Sequence, residues 1–506
     1  LVGSEMCIRD RCGTHPTFHD FRDQTQIRRE TGMKRRKLLL GLLAAKVAYA
    51  GSVDHSYDVI VVGSGAAGLS AAVSAAENGA RRVLVLEKET TLGGHTMVST
   101  GYVSALSRKN VSQKDYEASA HTMLEGMRRL ADGRGNEALQ RKLVYESADI
   151  IEWLASMGLR WEDNVFQTLA GLAPRSYISS AVRAGYDYIT TLNKRARSLG
   201  VEVRFSTRAM QIKTGSDNRI VGLVVQSESQ SVEFEAPTVI LATGGYGGNV
   251  AMRSRYVPWL DARYPTTANP YFTGTDCATG DGIKMGAQLG AALVDMDCIM
   301  VIPFWGGRLT DYVGADIYVD AQGRRFVNEG SSWNEISTAI RKLPNEQCWV
   351  ITDSQSIQGA SRSSKIMNGI VSVANTVEEM AAGMGVDKNT LRQTLERYNS
   401  FARKGIDEDF GKNMFTQEIN KPPYFYGKER LYVHYCCGGL RIDEHARVLS
   451  AQGIPIGGLY AAGETTGGVH GKDRLGGCSI TDCFVFGREA GKSGARYALQ
   501  AKANLV

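Results

Sequence analysis

The stretch from Tyr57 to Glu87, YDVIVVGSGAAGLSAAVSAAENGARRVLVLE, constrains this chain more than any other. Its apolar DVIVV has the character of a strand buried in a parallel sheet. The strand passes straight into Gly63-Ser64-Gly65-Ala66-Ala67-Gly68, then an alanine-rich helix, then a second strand, RVLVLE, ending on Glu87. Gly63 permits the tight turn, Gly65 lets a pyrophosphate approach the backbone, and Gly68 lets the helix pack closely on the sheet. The helix N-terminus offers N–H donors and positive dipole to phosphates. Glu87, 19 residues beyond Gly68, stands where a carboxylate can accept from a ribose hydroxyl. A bare GxGxxG is weak evidence, but with both strands, the helix and the acid correctly spaced it defines a dinucleotide-binding βαβ unit.

A chain of 506 residues can bury a large core, in two or three domains. The formal charge of +6 comes mostly from residues 1–50, with ten Lys/Arg against five Asp/Glu; the remainder carries 49 against 48. A near-neutral body argues against nucleic acid as a partner. Residues 1–32 show no hydrophobic period and are expected to be translated sequence upstream of a start at Met33. There MKRRKLLLGLLAAKVAYA has the basic region, short apolar run and Ala48-Tyr49-Ala50 of an export signal over residues 33–50. Arg35-Arg36 suits a twin-arginine route, with an ordinary Sec signal as the alternative; both imply export, to a bacterial periplasm. The run is too short to span a bilayer and no other is longer, so no integral membrane segment is expected. Seven cysteines follow residue 50, none in CxxC or CxxCH, which indicates neither attached c-type haem nor zinc. Cys436-Cys437 suits two small core residues.

Further along, VEVRFST, RIVGLVVQ and SVEFEAPTVILATGGYGG suggest a β-meander between strands of the parallel sheet, ending in Ala242-Thr243-Gly244 beside the cofactor. Residues 114–160 carry helical periodicity, and a helix opens at Asp281. From about 296 the texture changes to aromatic-rich PFWGG, a hairpin-like IYVDAQGRRFVNE and two helices. The sheet is expected to resume at VHYCCGGLRIDEHARVL, and a last helix to begin near Ser479. The fold class is α/β: a Rossmann-like nucleotide domain (53–295 and 433–506) with an inserted α+β capping domain (296–432).

Three blocks, GSGAAGLSAAVSAAENGA…VLEKETTLGGHT, GRRFVNEGSS and GLYAAGETTGGVHGKDRLGGCSITDCFVFGREAG, resemble the flavoprotein of fumarate reductases and succinate dehydrogenases, in its soluble branch with flavocytochrome c fumarate reductase and urocanate reductase. The resemblance spans roughly residues 56–500 and implies bound FAD and a mobile cap over the substrate. It marks Gly63, Gly65, Ala66, Ala67, Gly68, Glu87, Lys88, Gly94, His95, Thr96, Ala242, Thr243, Gly244 and Asp281 for the cofactor, joined by Glu464, Arg474, Ser479 and Ile480. Glu464 can hold the ribityl chain. Ser479 and Ile480 open a helix whose N–H groups can face the flavin's pyrimidine edge and stabilise its charge on reduction. Arg474 resembles the arginine that grips a substrate carboxylate, which a guanidinium does well; the alternative is a structural salt bridge to Asp473 or Glu464. His470 is expected to be structural.

The sequence also departs from that family. Its proton-donating arginine, shortly after RFVNE, is replaced by Trp333, and indole cannot supply the proton. Tyr435 occupies the position of a substrate-binding histidine, beside His434. A His-Pro-Thr segment is replaced by Val301-Ile302-Pro303-Phe304-Trp305, with Thr310-Asp311 standing in for a Thr-Glu pair. Phe304, Trp305, Trp333 and Tyr435 make a larger, less charged or aromatic substrate the expectation. Tyr435 is the first candidate acid, as in related ketosteroid dehydrogenases, and Tyr318 the second. His95 stands where membrane-bound relatives attach FAD covalently; a non-covalent contact is the alternative. The expected activity is interconversion of a C–C single and double bond next to a carboxylate or carbonyl, by hydride exchange with FAD. Its direction is open, its electrons come from a separate redox protein such as a cytochrome, and a catalytically degenerate flavin-binding protein is the contrasting possibility.

Overall fold

A computed structural model of the chain describes residues 55–165, 175–181, 184–227, 230–269, 276–304, 306–309, 314–356 and 362–503. The export signal and everything before it lie outside these residues, as do Trp305 and Thr310-Asp311.

Apolar four-residue runs build the central sheet. Val59–Val62 and Val83–Leu86 pair in parallel, Val59 opposite Val83, and Thr238–Leu241 flanks the first strand on its other side. Pro455–Ala461 and Glu202–Arg204 extend the two wings in parallel, and Arg447–Leu449 adds an antiparallel edge. The four residues of Val59–Val62 are all buried, which is why this strand is apolar throughout rather than alternating. Both neighbours follow it in the sequence, one on each side, so the strand order reverses at this strand and a crevice opens there, at the carboxyl ends of the strands. The helices Ala66–Glu77 and Cys478–Ala503 cover the sheet, and Gln113–Ala131 and Glu137–Ser156 pack on the flank. The expected meander is the antiparallel sheet Thr207–Thr214, Ile220–Ser227 and Gln230–Glu235.

A second, antiparallel sheet runs Ile299–Phe304, Tyr424–Cys436, Gln347–Asp353, Ile317–Val319. It buries one core against the helix Trp333–Arg341 and another against the helices Val377–Met384 and Lys388–Lys404. The hairpin-like IYVDAQGRRFVNE is a short hairpin: the strand Ile317–Val319, a turn in which the Gly323 N–H donates to the Asp320 carbonyl, and an antiparallel bridge from Val319 to Arg325. One expectation needs correction. VHYC does not resume the parallel sheet; it is the end of the 13-residue strand Tyr424–Cys436, paired to Ile299–Phe304, so the boundary at 432/433 cuts through a continuous strand. Among the described residues no helix is long and apolar enough to cross a membrane.

Candidate active site

The turn after the first strand is shaped by close approach. Gly63 has φ +106°, and a Cβ there would sit 2.2 Å from the carbonyl oxygen of Ala242. Gly68 packs as tightly, with a Cβ falling 1.9 Å from the Gly63 carbonyl. Gly68 therefore closes the turn and does not border the cavity, unlike its partners in the motif. Gly65 is less crowded: a Cβ there would meet only the Gly93 carbonyl oxygen and Thr96 Oγ1, both at 3.8 Å, an ordinary contact.

A first cavity lies along these strand ends. Gly63, Gly65, Ala66, Ala67, Glu87, Lys88, Gly94, His95, Thr96, Ala242, Thr243, Gly244, Asp281 and Glu464 border it. Glu87 does more than wait for a ribose. Its Oε2 accepts from the Ser64 N–H at 3.1 Å and from the Ser64 hydroxyl, and its Oε1 accepts from the Glu89 N–H at 2.9 Å. The Ser64 hydroxyl oxygen in turn accepts from the Gly93 N–H at 3.1 Å. One carboxylate thus fastens the phosphate turn to the Gly93-Gly94 turn. Lys88 Nζ donates to the carbonyl of Cys277 and to Thr279 Oγ1, both at 2.7 Å, and pairs with Asp281 at 3.2 Å. Asp281 also holds Arg208, which sequence reasoning missed along with Ser64. Thr96 Oγ1 accepts from the Ala66 N–H, and Thr243 Oγ1 from the Gly282 N–H.

His95 sits where this cavity meets a second one. Its Nε2 lies 2.7 Å from Asp276 Oδ1, and Asp276 accepts also from the Thr266 hydroxyl and the Ala278 N–H. Burial opposes both charges, yet each stabilises the other: Asp276 falls to about 2, and the His95 imidazolium is held well above its usual range. Among the described residues, His95, Asp276 and Cys277 alone bring three metal-ligand-type atoms within 4.8 Å of one another, and they do so on the cofactor wall.

The second cavity shares His95, Thr96, Glu464 and Cys483 with the first. Arg474, His434, Tyr435, Ser479 and Ile480 all border it, with Phe304 and Trp333 as the aromatic wall. Ser479 and Ile480 belong to the first turn of the helix Cys478–Ala503. Glu464 Oε1 accepts from the Cys436 N–H at 2.8 Å, and burial raises its carboxyl above the usual range. The salt bridge considered for Arg474 is not formed: among the described residues its guanidinium pairs with no carboxylate. Nη1 donates to the Leu475 carbonyl, Nη2 faces His434 Nε2 at 3.4 Å, and the buried Nε has no partner. A buried guanidinium with an unused donor is a ready site for an anion.

Burial, then the charges of Arg474, His95 and Arg308, push His434 down to about 3, so it stays neutral; its Nδ1 is 3.0 Å from Thr267 Oγ1. Tyr435 donates its hydroxyl to buried Asp482 at 3.3 Å, and Asp482 also meets His470 Nε2 at 3.2 Å, which makes His470 structural. Burial and then Asp482 hold the Tyr435 phenol well above its usual range, and its hydroxyl is directed at Asp482. Tyr318 is buried outside the cavity, against the core that includes Trp333, and is not placed to act on a substrate. Arg308 and Tyr102, neither marked by the sequence, complete the wall.

These features fit FAD. The glycine turn and helix N-terminus suit its pyrophosphate, Glu87 its ribose, and the Ser479 and Ile480 end of the last helix its flavin ring.

Comparison with known proteins agrees. The family model described as FAD binding domain matches residues 58–480. The probable fumarate reductase Ifc3 of Shewanella frigidimarina (strain NCIMB 400) is 32% identical over 89% of this chain and 77% of its own. The urocanate reductase of Eggerthella lenta is 33% identical over 87% of this chain and 75% of its own. Among solved structures, the 3-ketosteroid-Δ4-(5α)-dehydrogenase of Rhodococcus jostii RHA1 superposes with a TM-score of 0.69 at 26% identity, covering 88% of this chain and 98% of that one.

Proposed function

Since the chain belongs to the FAD-binding family of the soluble fumarate and urocanate reductases, and is a FAD-dependent oxidoreductase acting on carbon–carbon bonds, we propose that it reduces the double bond of a β-aryl acrylate rather than fumarate. The observation that carries this reading is the second cavity, where Arg474 with its unpartnered buried Nε faces the aromatic wall of Phe304, Trp333 and Tyr435. A planar monocarboxylate with an aromatic substituent matches both halves of that lining.

FAD, when bound, supplies and accepts the hydride. The protein's own groups do the rest. Arg474 grips the substrate carboxylate and withdraws charge from the conjugated double bond. His434, neutral at working pH, can donate or accept one hydrogen bond but adds no charge for a second carboxylate. The aromatic wall orders the ring and excludes water, which strengthens the guanidinium–carboxylate contact. At the cofactor, Glu87, Lys88 and Asp281 are proposed to position the adenosine side, Thr96, Thr243 and Glu464 the central chain, and the N–H groups of Ser479 and Ile480 the flavin's pyrimidine edge. Electrons are proposed to come from a separate redox protein, and residues 33–50 to direct export.

A tyrosine acid of the ketosteroid type is not favoured, because the Tyr435 hydroxyl is directed at Asp482 and Tyr318 lies outside the cavity. The test is anaerobic photoreduction of the FAD-loaded protein, followed by mixing with 3-phenylacrylate, urocanate and fumarate. Reoxidation by an aryl acrylate at least about tenfold faster than by fumarate is expected, a margin worth about 1.4 kcal/mol. Fumarate as the fastest acceptor would overturn the substrate class, and reoxidation by no acceptor would leave a flavin-binding protein without this activity.

A further inference from the structure

Reduction of the double bond needs a proton as well as a hydride, and the wall of the second cavity narrows the choice of donor. Trp333 has none to give. Tyr435 directs its hydroxyl at Asp482, and Arg474 faces His434 and the carboxylate position. On the cofactor side His95 is engaged by Asp276 and Glu464 by the Cys436 N–H, and the serine and threonine hydroxyls are weak acids; the wall also carries Tyr102 and the Arg308 guanidinium, and Arg308 alone of these two stacks on Trp333.

Arg308 is held in place by its surroundings. It follows the strand Ile299–Phe304 on a segment pressed against Tyr424–Cys436, where a Cβ at Gly306 would meet the Lys428 carbonyl at 2.3 Å and one at Gly307 the Gly427 carbonyl at 2.1 Å. Its N–H donates to buried Glu429 at 3.3 Å, and its carbonyl accepts from buried Lys365 at 2.6 Å. The side chain, 11% exposed, crosses the face of Trp333 with Cζ 5.0 Å from the ring centroid. Asp316 lies behind it, its Oδ2 3.9 Å from Nε. The indole that displaced one guanidinium therefore serves as the platform for another.

Resting on the acrylate-reductase reading, we propose that Arg308 is the proton donor of this reaction. As a hydride reaches the β-carbon, the π pair moves to the α-carbon and takes a proton from an Arg308 N–H. A C–H bond forms, an N–H bond breaks, and the guanidine left neutral is recharged by a proton from solvent. The cation also stabilises the carbanionic charge before the proton moves.

The test uses the FAD-loaded full chain as wild type, Arg308→Ala, Arg308→Lys and Tyr102→Phe. Binding of unreactive 3-phenylpropanoate is followed by the visible flavin spectrum, and reoxidation of photoreduced protein by 3-phenylacrylate is followed with and without added guanidinium. Arg308→Ala should keep its FAD and bind 3-phenylpropanoate within about threefold of wild type, yet reoxidise about 10²–10⁴-fold more slowly, the usual worth of a general acid. Added guanidinium should restore its rate saturably. If Arg308→Ala loses FAD because Asp316 and Glu429 lose their cation, Arg308→Lys keeps the charge and should still lose at least about tenfold in rate. A wild-type rate in Arg308→Ala would overturn the proposal, as would a rate loss that follows binding loss without rescue, or a loss seen in Tyr102→Phe instead. A wild-type protein that no acrylate reoxidises is a different result: it overturns the acrylate reading itself, and the donor role with it.

Discussion

Replacing Glu87 by Gln alters one atom of a side chain that serves two purposes. The carboxylate accepts from the Ser64 N–H and hydroxyl through Oε2 and from the Glu89 N–H through Oε1, all without FAD. Glutamine has a single acceptor oxygen. Turned toward Ser64, it keeps two bonds but presents its NH2 to the Glu89 N–H, donor against donor; turned the other way, it loses both Ser64 bonds. In the better orientation, two charge-assisted bonds become neutral ones, at about 1 kcal/mol each, and one donor goes unmet, at about 1–3 kcal/mol. The apoprotein should thus lose about 3–5 kcal/mol of stability locally. FAD should additionally lose a charged acceptor for its ribose, another 1–3 kcal/mol or about 5–150-fold in affinity. Hydrogen exchange at the Ser64 and Gly93 amides of the apoprotein reports the first effect, and FAD titration of the same sample the second. Unchanged exchange with weakened FAD would refute the latch; weakened exchange with unchanged FAD affinity would refute the ribose contact.

Other outcomes follow from the same geometry. His95 has its Nε2 engaged by Asp276, so acid precipitation should release all FAD to the supernatant; a yellow, fluorescent band in a denaturing gel would instead show a histidyl bond. The His95–Asp276 pair sets a pH window. Asp276 is depressed from 3.8 to about 2, so its stabilisation is present above 3.8 and lost as pH falls toward 2; His95 is raised above 6.5, so its share is full below 6.5 and lost as pH climbs through the raised value. The difference in melting temperature between wild type and Asp276→Asn should therefore peak between about pH 4 and 6.5 and shrink on both sides, and a flat difference across pH would exclude the pair. Tyr435→Phe should lower turnover less than about tenfold with FAD content intact, since its hydroxyl serves Asp482; a hundredfold loss at constant substrate binding would return the acid role to this tyrosine. Arg474→Ala should weaken 3-phenylpropanoate binding by about 1.5–3 kcal/mol, roughly 10–150-fold, measured by flavin perturbation.

What the sequence disclosed and what it withheld divide along chain distance. The βαβ unit was legible because its geometry is local: turn glycines, helix and acid lie within about thirty residues, and each has a steric reason for its place. The last helix and the small-residue turns were legible for the same reason. Ser64 escaped notice because its partner Gly93 approaches only when two turns fold against each other. Arg308 escaped because it meets Trp333 only when the helix Trp333–Arg341 packs against the second sheet. Asp276 meets His95 across 181 positions, which no local pattern announces. Tyr435 borders the second cavity, but the direction of its hydroxyl depends on Asp482, on a different element. The boundary at 432/433 failed because a change of texture marks where side chains change neighbours, not where a backbone ladder stops.

The 13-residue strand Tyr424–Cys436 has a consequence for how such proteins can diversify. At about 3.3 Å per residue it runs some 40 Å, carrying Glu429 within the second sheet and His434, Tyr435 and Cys436 at the flavin end. A chimera spliced at 432/433 would join two half-strands whose register must match to the residue, since a slip of one turns His434 and Tyr435 to opposite faces. A working exchange has to take the strand whole, and with it these two residues of the second cavity's wall. An exchange of the second sheet would therefore alter the second cavity as well, because both residues border it.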